Sequence, residues 1–249
     1  MTPILSIKDL SFSYGNRLIL SDISFDVKKG DLISVIGPNG AGKTTLFKCI
    51  LGHLKPQNGE ILIDKKPLAS LNQKEIAGYI SYIPQIHANE FAYTVLDTVL
   101  MGTIHGLSVF SLPHKKQYEQ AHKALEAVGI EKLCNRNFSE LSGGEKQLVL
   151  IARALAQESQ IMIMDEPASA LDYGNQIRIH EKICELSDEG YTILISTHNP
   201  RFARKYTKNV IAINEGKIIA HGESKEIINE ELINELYKLN SSIKRKGNT

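Results

Sequence analysis

The run L-I-S-V-I at 32–36 passes directly into G-P-N-G-A-G-K-T at 37–44, and this junction limits the fold more than any other stretch of the chain. A short, mostly apolar and β-branched run suits a buried strand. The residues beyond it predict a helix from about 42 to 51, stopped at Gly52 by a left-handed cap. Strand, glycine-rich turn and helix together form the pattern of a phosphate-binding loop. The chemistry requires that order. Backbone N–H groups along Gly37, Pro38, Asn39, Gly40, Ala41 and Gly42 turn toward an anion, and the helix N-terminus adds partial positive charge. Lys43 brings a full charge to the phosphates, Thr44 offers a hydroxyl to Mg²⁺, and Thr45 follows at the same helix start.

Around this junction the pattern alternates between strand and helix. Residues 4–30 alternate apolar and polar with turn signals at Gly15-Asn16 and Lys29-Gly30, which predicts short antiparallel strands. Further strands are expected over 59–83, and 94–140 is expected to be mostly helical, with Tyr118, Ala121, His122, Leu125 and Val128 on one face. Strand signals at 161–164 and 192–196 flank a helix at about 174–189. A hairpin is predicted around Asn214-Glu215-Gly216, then a last amphipathic helix carrying Ile228, Leu232, Leu236 and Tyr237. The fold class is therefore α/β: a parallel sheet around the phosphate loop, an antiparallel β region at the N-terminal side, and a helical insertion.

Two further segments carry chemistry. I-M-I-M-D-E at 161–166 ends a buried strand in adjacent carboxylates, so that Asp165 stands where a phosphate-loop fold places a second Mg²⁺ contact. Glu166 is then placed to accept a proton from a water attacking the terminal phosphate. In L-S-G-G-E at 141–145, Ser142 and Glu145 have capping-box spacing ahead of an apolar face of Leu148, Ile151, Ala152 and Leu155. Gly143 and Gly144 inside that cap expose N–H groups, which makes a second anion cradle that the first site does not need.

L-S-G-G-E about twenty residues before a strand ending in Asp-Glu resembles the signature of ABC ATPases, and the resemblance runs from the strands near residue 4 to the helix ending near 239. It implies a P-loop NTPase core with an N-terminal antiparallel β subdomain and an inserted helical subdomain. The expected domain spans 1–240, with the insertion at about 86–160 and a basic disordered tail at 241–249 that includes Lys244-Arg245-Lys246. It also implies further roles. Tyr14 would stack on adenine, and Gln85 would touch Mg²⁺ and signal to membrane subunits. His198 would contact the γ-phosphate, and Ser169-Ala170-Leu171-Asp172 would join two subunits. Ser142, Gly143 and Gly144 would reach the ATP of a second copy in a head-to-tail dimer. Ala168, Asn199 and Lys146 depart from the residues usual in the family, without removing a phosphate, metal or water contact.

The function implied is ATP hydrolysis that drives a separate transmembrane permease, with a substrate-binding protein as an indirect partner. T-V-L-D-T-V-L-M-G at 94–102, S-A-L-D-Y-G-N-Q at 169–176 and G-K-I-I-A-H-G at 216–222 resemble importers of iron-siderophore, haem or cobalamin. The alternatives are a zinc or manganese importer, an exporter, or a non-transport ABC ATPase acting on ribosomes or DNA. One set of motifs, no heptad run and no cysteine pairs argue against the last. A net charge of +1 gives no electrostatic case for nucleic acid. No stretch approaches the ~18 apolar residues of a membrane helix, and the N-terminus lacks a secretion signal, so the expected place is the cytoplasmic face of the membrane. Cys49, Cys134 and Cys184 lie too far apart in sequence for a zinc pattern and are expected as small buried hydrophobes.

Overall fold

The computed structural model describes residues 2–85, 93–104 and 113–238. Strand β1 (Leu5–Tyr14) turns at Gly15-Asn16 into β2 (Arg17–Val27), and the two pair antiparallel. On its other edge β1 takes β4 (Asn58–Ile63), which in turn pairs with the short β5 (Lys66–Pro67), giving one antiparallel sheet in the order β2-β1-β4-β5.

A second sheet contains β3 (Leu32–Ile36), β6 (Ile80–Ile83), β7 (Ile161–Asp165), β8 (Thr192–Thr197), β9 (Asn209–Asn214) and β10 (Lys217–Glu223). Its order is β10-β9-β3-β8-β7-β6, parallel throughout except for β10, which closes the edge as the second arm of the expected hairpin. Every residue of β3 and β7 is buried, as expected of parallel strands covered on both faces. Because β3, β7 and β8 run the same way, the phosphate loop, the Asp165-Glu166 pair and His198 all emerge at one edge of the sheet, where open α/β sheets place ligands.

Helix α1 (Lys43–Ile50) follows the phosphate loop, and Leu46, Phe47, Cys49 and Ile50 pack it into a core shared by both sheets. Helix α2 (Gln73–Tyr79) falls within 59–83, where strands are expected and no helix is. Ile76 is its one buried residue, so it has no apolar stripe to read, and it is fixed instead by the Asn72–Glu75 capping box. Helices α3 (Val95–Thr103), α4 (Lys115–Ala127) and α5 (Gly143–Ala156) pack on one another and on the far face of the parallel sheet. A Cβ on Gly102 would lie 2.1 Å from the Arg153 carbonyl oxygen, so α3 meets α5 backbone to backbone. Ala121, Leu125 and Val128 are buried as expected. Tyr118 is exposed, and His122 points to Glu131 at 3.6 Å, which narrows that face.

Helix α6 (Tyr173–Asp188) joins β7 to β8, and α7 (Pro200–Tyr206) follows β8 with Asn199 as its N-cap and Pro200 at its first position. The chain closes with α8 (Ser224–Ile227) and α9 (Glu230–Tyr237). Ile228 precedes α9 rather than lying on it, though it shares a buried cluster with Leu232 and Leu236. Cys49 is buried, whereas Cys134 and Cys184 are only half-buried, and all three are free thiols. No helix among the described residues is long and apolar enough to cross a membrane.

Candidate functional site

A cleft of about 460 Å³ opens over the phosphate loop, lined by Tyr14, Arg17, Ile19, Asn39, Gly40, Gly42, Lys43, Thr44, Thr45, Gln85 and Glu166. Gly42 has φ of 109°, a conformation that residues with a Cβ rarely adopt, and a Cβ there would also meet Leu20 Cδ2 at 2.8 Å. Lys43 curls back over the loop and donates from Nζ to the carbonyls of Gly37 (2.9 Å) and Pro38 (3.2 Å). Burial draws its pKa below the ordinary lysine value, opposed by Glu166, whose Oε1 lies 3.5 Å away.

Asp165 sits at the tip of β7 with both oxygens engaged. Thr44 Oγ1 donates to Oδ2 at 2.7 Å and Ser196 Oγ donates to Oδ1 at 2.5 Å. Thr44 and Asp165 are hard oxygen donors brought together from two elements, a set that suits Mg²⁺ sharing its shell with phosphate oxygens and water. Tyr82 on β6 is pushed up to about 12 by burial and then by the Asp165 carboxylate. Glu166 follows with φ of 47°, unusual for a residue with a side chain. Its Oε2 lies 3.0 Å from His198 Nδ1, which brings the expected base and the expected histidine into direct contact. Gln85 Nε2 donates to Ser169 Oγ (3.1 Å), and Ser169 Oγ donates to the Glu166 carbonyl (3.0 Å).

Tyr14 is about half exposed (48%) and stands edge-on to Phe12, with ring centroids 4.8 Å apart, so its ring is open to a planar ligand rather than sealed in the strand core. Behind Glu166, His180 on α6 is stacked on Phe202 and Tyr206 of α7 at centroid distances of 4.5 and 5.2 Å, and burial pulls its pKa down to about 4. Tyr237 donates to the His198 carbonyl at 2.6 Å. Its own pKa is pushed up to about 12, by burial and then by the Glu166 charge.

The second cradle lies elsewhere. None of Ser142, Gly143 and Gly144 lines the cleft that holds Lys43. Ser142 caps α5 in a reciprocal box: its N–H and Oγ donate to Glu145 Oε2 (2.8 and 2.7 Å), and Glu145 N–H donates to Ser142 Oγ (3.3 Å). Those bonds hold the Glu145 carboxyl below the usual range. A Cβ on Gly144 would meet Asn175 Oδ1 at 2.6 Å, so α6 packs against the bare backbone of this turn. The first-turn N–H groups at 143 and 144 have no acceptor inside the helix.

Sequence reasoning missed Arg17, Ser196 and Tyr237. Arg17 was legible in principle, since the Gly15-Asn16 turn places it opposite Tyr14. Ser196 and Tyr237 carried no local signal. Phe91, Val109 and Phe110, apolar residues of the segment after Gln85 whose pattern in the sequence raises the expectation that it docks a permease, lie outside the described residues, as does the tail from 241.

Residues 20–169 match the family described as ABC transporter. A Helicobacter pylori protein named "Probable iron chelatin transport ATP-binding protein" is 36% identical over 94% of this chain and 92% of its own length. A Listeria innocua relative, the manganese transport system ATP-binding protein MntB, is 35% identical over 94% of this chain and 95% of its own. Among solved structures, a chain of a transporter assigned to the metal-chelate type, in an inward-facing conformation, superposes with a TM-score of 0.85 at 33% identity, covering 96% of this chain and 90% of that one.

Proposed function

The chain belongs to the ABC transporter family as an ATP-binding subunit, and from that premise we propose that it hydrolyses ATP in a head-to-tail pair with a second copy and drives import of a metal chelate. The observation that carries the hydrolytic reading is the convergence on Glu166, whose carboxylate lies between Lys43 (3.5 Å) and His198 (3.0 Å) beside the Thr44–Asp165 contact. In this reading Glu166 takes the proton of the attacking water, His198 holds that carboxylate and meets the terminal phosphate, and Tyr14 stacks on the base. Gly37 through Gly42 hold the phosphates with Lys43 and Thr45. Mg²⁺ bound by Thr44, Asp165 and Gln85 would neutralise phosphate charge. Phosphoryl transfer depends on positioning and charge, so a site completed only by another copy makes turnover conditional on closure. The placement of Ser142, Gly143 and Gly144 outside the chain's own cleft supports that pairing.

The permease is proposed to dock on the segment after Gln85, about 86–140, within the inserted helical region. A groove of about 260 Å³ between α2 and the turn after α1 on one side and α3 and α5 on the other supports this, lined by His53, Ile76, Met101 and Arg153 among others. Met101 and Ile104 also stay exposed on α3 and just after it. The protein would then sit peripherally at the cytoplasmic face of the membrane, with a substrate-binding protein as an indirect partner. The similarity to a manganese system supports a second reading in which the cargo is the bare cation. Uptake of ferric chelates against Mn²⁺ by the transporter reconstituted in vesicles separates the two. For the hydrolytic role, Glu166→Gln is expected to bind ATP normally, lose about 10²–10⁴-fold in turnover, and accumulate as an ATP-bound dimer on size exclusion. Near-normal turnover would remove Glu166 from the proposed chemistry.

A further inference from the structure

A carboxylate that offers one oxygen to a cation, and a neighbouring carboxylate that takes a proton, both need to be fixed from behind. In this protein one hydroxyl does both. Ser196 is fully buried at the end of β8 and is the register partner of Asp165 on β7. Its Oγ accepts the Glu166 N–H at 2.9 Å and donates to Asp165 Oδ1 at 2.5 Å. An amide N–H can only donate, so the single hydroxyl proton is committed to the carboxylate. With Oδ1 held by β8, Oδ2 is left toward Thr44 Oγ1 at 2.7 Å. The same hydroxyl anchors the Glu166 amide where the backbone takes its unusual φ of 47°, while Ser169 Oγ holds the Glu166 carbonyl at 3.0 Å. Both polar backbone groups of Glu166 are thus tied down by serine hydroxyls, and its side chain is left to meet Lys43 and His198.

We infer that Ser196 is a positioning residue for both carboxylates, turning Asp165 toward the Thr44 hydroxyl and holding Glu166 in its left-handed conformation. The inference rests on the proposed roles of Asp165 and Glu166. Removing the hydroxyl releases Asp165 Oδ1, so that the carboxylate is held by Thr44 and Tyr82 alone among the described residues, and leaves a partly buried Glu166 N–H without its acceptor, so metal response and turnover are affected together while the phosphate loop itself is untouched.

The test compares wild type, Ser196→Ala, and the shape-matched pair Ser196→Thr and Ser196→Val, which differ only in the hydroxyl. Binding of a fluorescent ATP analogue is titrated with and without Mg²⁺, alongside kcat, KM and thermal melting. Ala and Val are expected to lose about 10–100-fold in kcat and in the Mg²⁺ enhancement of nucleotide affinity. Their Mg²⁺-free affinity should stay near wild type while melting falls by the modest amount that an unpaired buried N–H costs, and Thr should retain both functions. An unaltered Mg²⁺ enhancement and kcat in Ala overturns the inference. So does equal loss in Thr and Val, or a loss of Mg²⁺-free affinity that tracks melting. If Ala is too unstable to assay, the Thr–Val difference decides alone. A wild-type protein that neither binds nor hydrolyses nucleotide sinks the proposed function itself, whereas an active wild type indifferent to residue 196 sinks only this inference.

Discussion

The two glycine-bearing turns of this chain have the same elementary chemistry and opposite surroundings. At 37–44 the turn is backed from within its own molecule: Lys43 spans its carbonyls, Thr44 meets Asp165, and β7 and β8 bring Glu166 and His198 alongside. At 142–144 the turn opens α5 with a self-contained cap, Ser142 and Glu145 satisfying each other, and none of its residues lines the cleft that holds Lys43 and Glu166. One turn has a lysine and the Asp165-Glu166 carboxylates beside it. The other has first-turn amide groups with no acceptor inside their helix and stands apart from those side chains. That difference is what the proposal of a head-to-tail pair rests on, each turn supplying in a second copy what the other lacks.

The most severe way to break the comparison is to damage each turn separately. Lys43→Ala is expected to weaken ATP binding by the isolated chain, and Ser142→Arg to leave that binding nearly intact. Each alone should have no measurable turnover. Mixed together they should recover activity, because one of the two sites in a heterodimer then carries an intact phosphate loop and an intact L-S-G-G-E turn. Isothermal titration and an ATPase assay on the mixture check this. Equal loss of monomer affinity in both variants would place the turns in one site.

A second test concerns what backs the first turn. His180 is buried against Phe202 and Tyr206 beside the Glu166 loop, with a native pKa near 4 against an ordinary 6.5. A native pKa below the unfolded one means that the unfolded chain binds the proton first. The stabilising contribution is complete above pH 6.5 and is lost as pH falls toward 4, amounting to about 3 kcal/mol at most. Urea unfolding at pH 7 and pH 4.5 should show this loss in wild type, and His180→Phe should flatten it.

The smallest effect sharpens the contrast by repeating one substitution on the other turn. Glu145→Gln keeps the capping-box acceptor but removes its negative charge from the helix N-terminus and is expected to cost about 0.3–1 kcal/mol of stability, read as a small drop in melting temperature. ATP affinity of the isolated chain should not change. The same exchange at Glu166 removes the proposed base.

Much of the molecule could be read from residue order. The strand at 32–36, the helix closed at Gly52, the hairpin at 214–216 and the Ser142–Glu145 cap all depend on contacts a few residues apart, so their signals are local. Helix α2 escaped because it buries a single side chain, and the half-buried state of Cys134 and Cys184 escaped because exposure depends on what packs from elsewhere. The candidate chemistry follows the same division. The sequence by itself determined which groups are present: a phosphate loop with its lysine and threonine, a strand ending in Asp-Glu, a histidine after a strand, and a second turn rich in free amides. Only the tertiary structure decided which of them meet. Parallel registry of β7 with β8 brings Asp165 and Glu166, some thirty residues earlier in the chain, within reach of Ser196 and His198, and the last helix adds Tyr237 to the His198 carbonyl. Hydrogen bonds act over about 3 Å, whereas neighbours in space here are far apart in the chain, so no local pattern of residue types encodes those contacts.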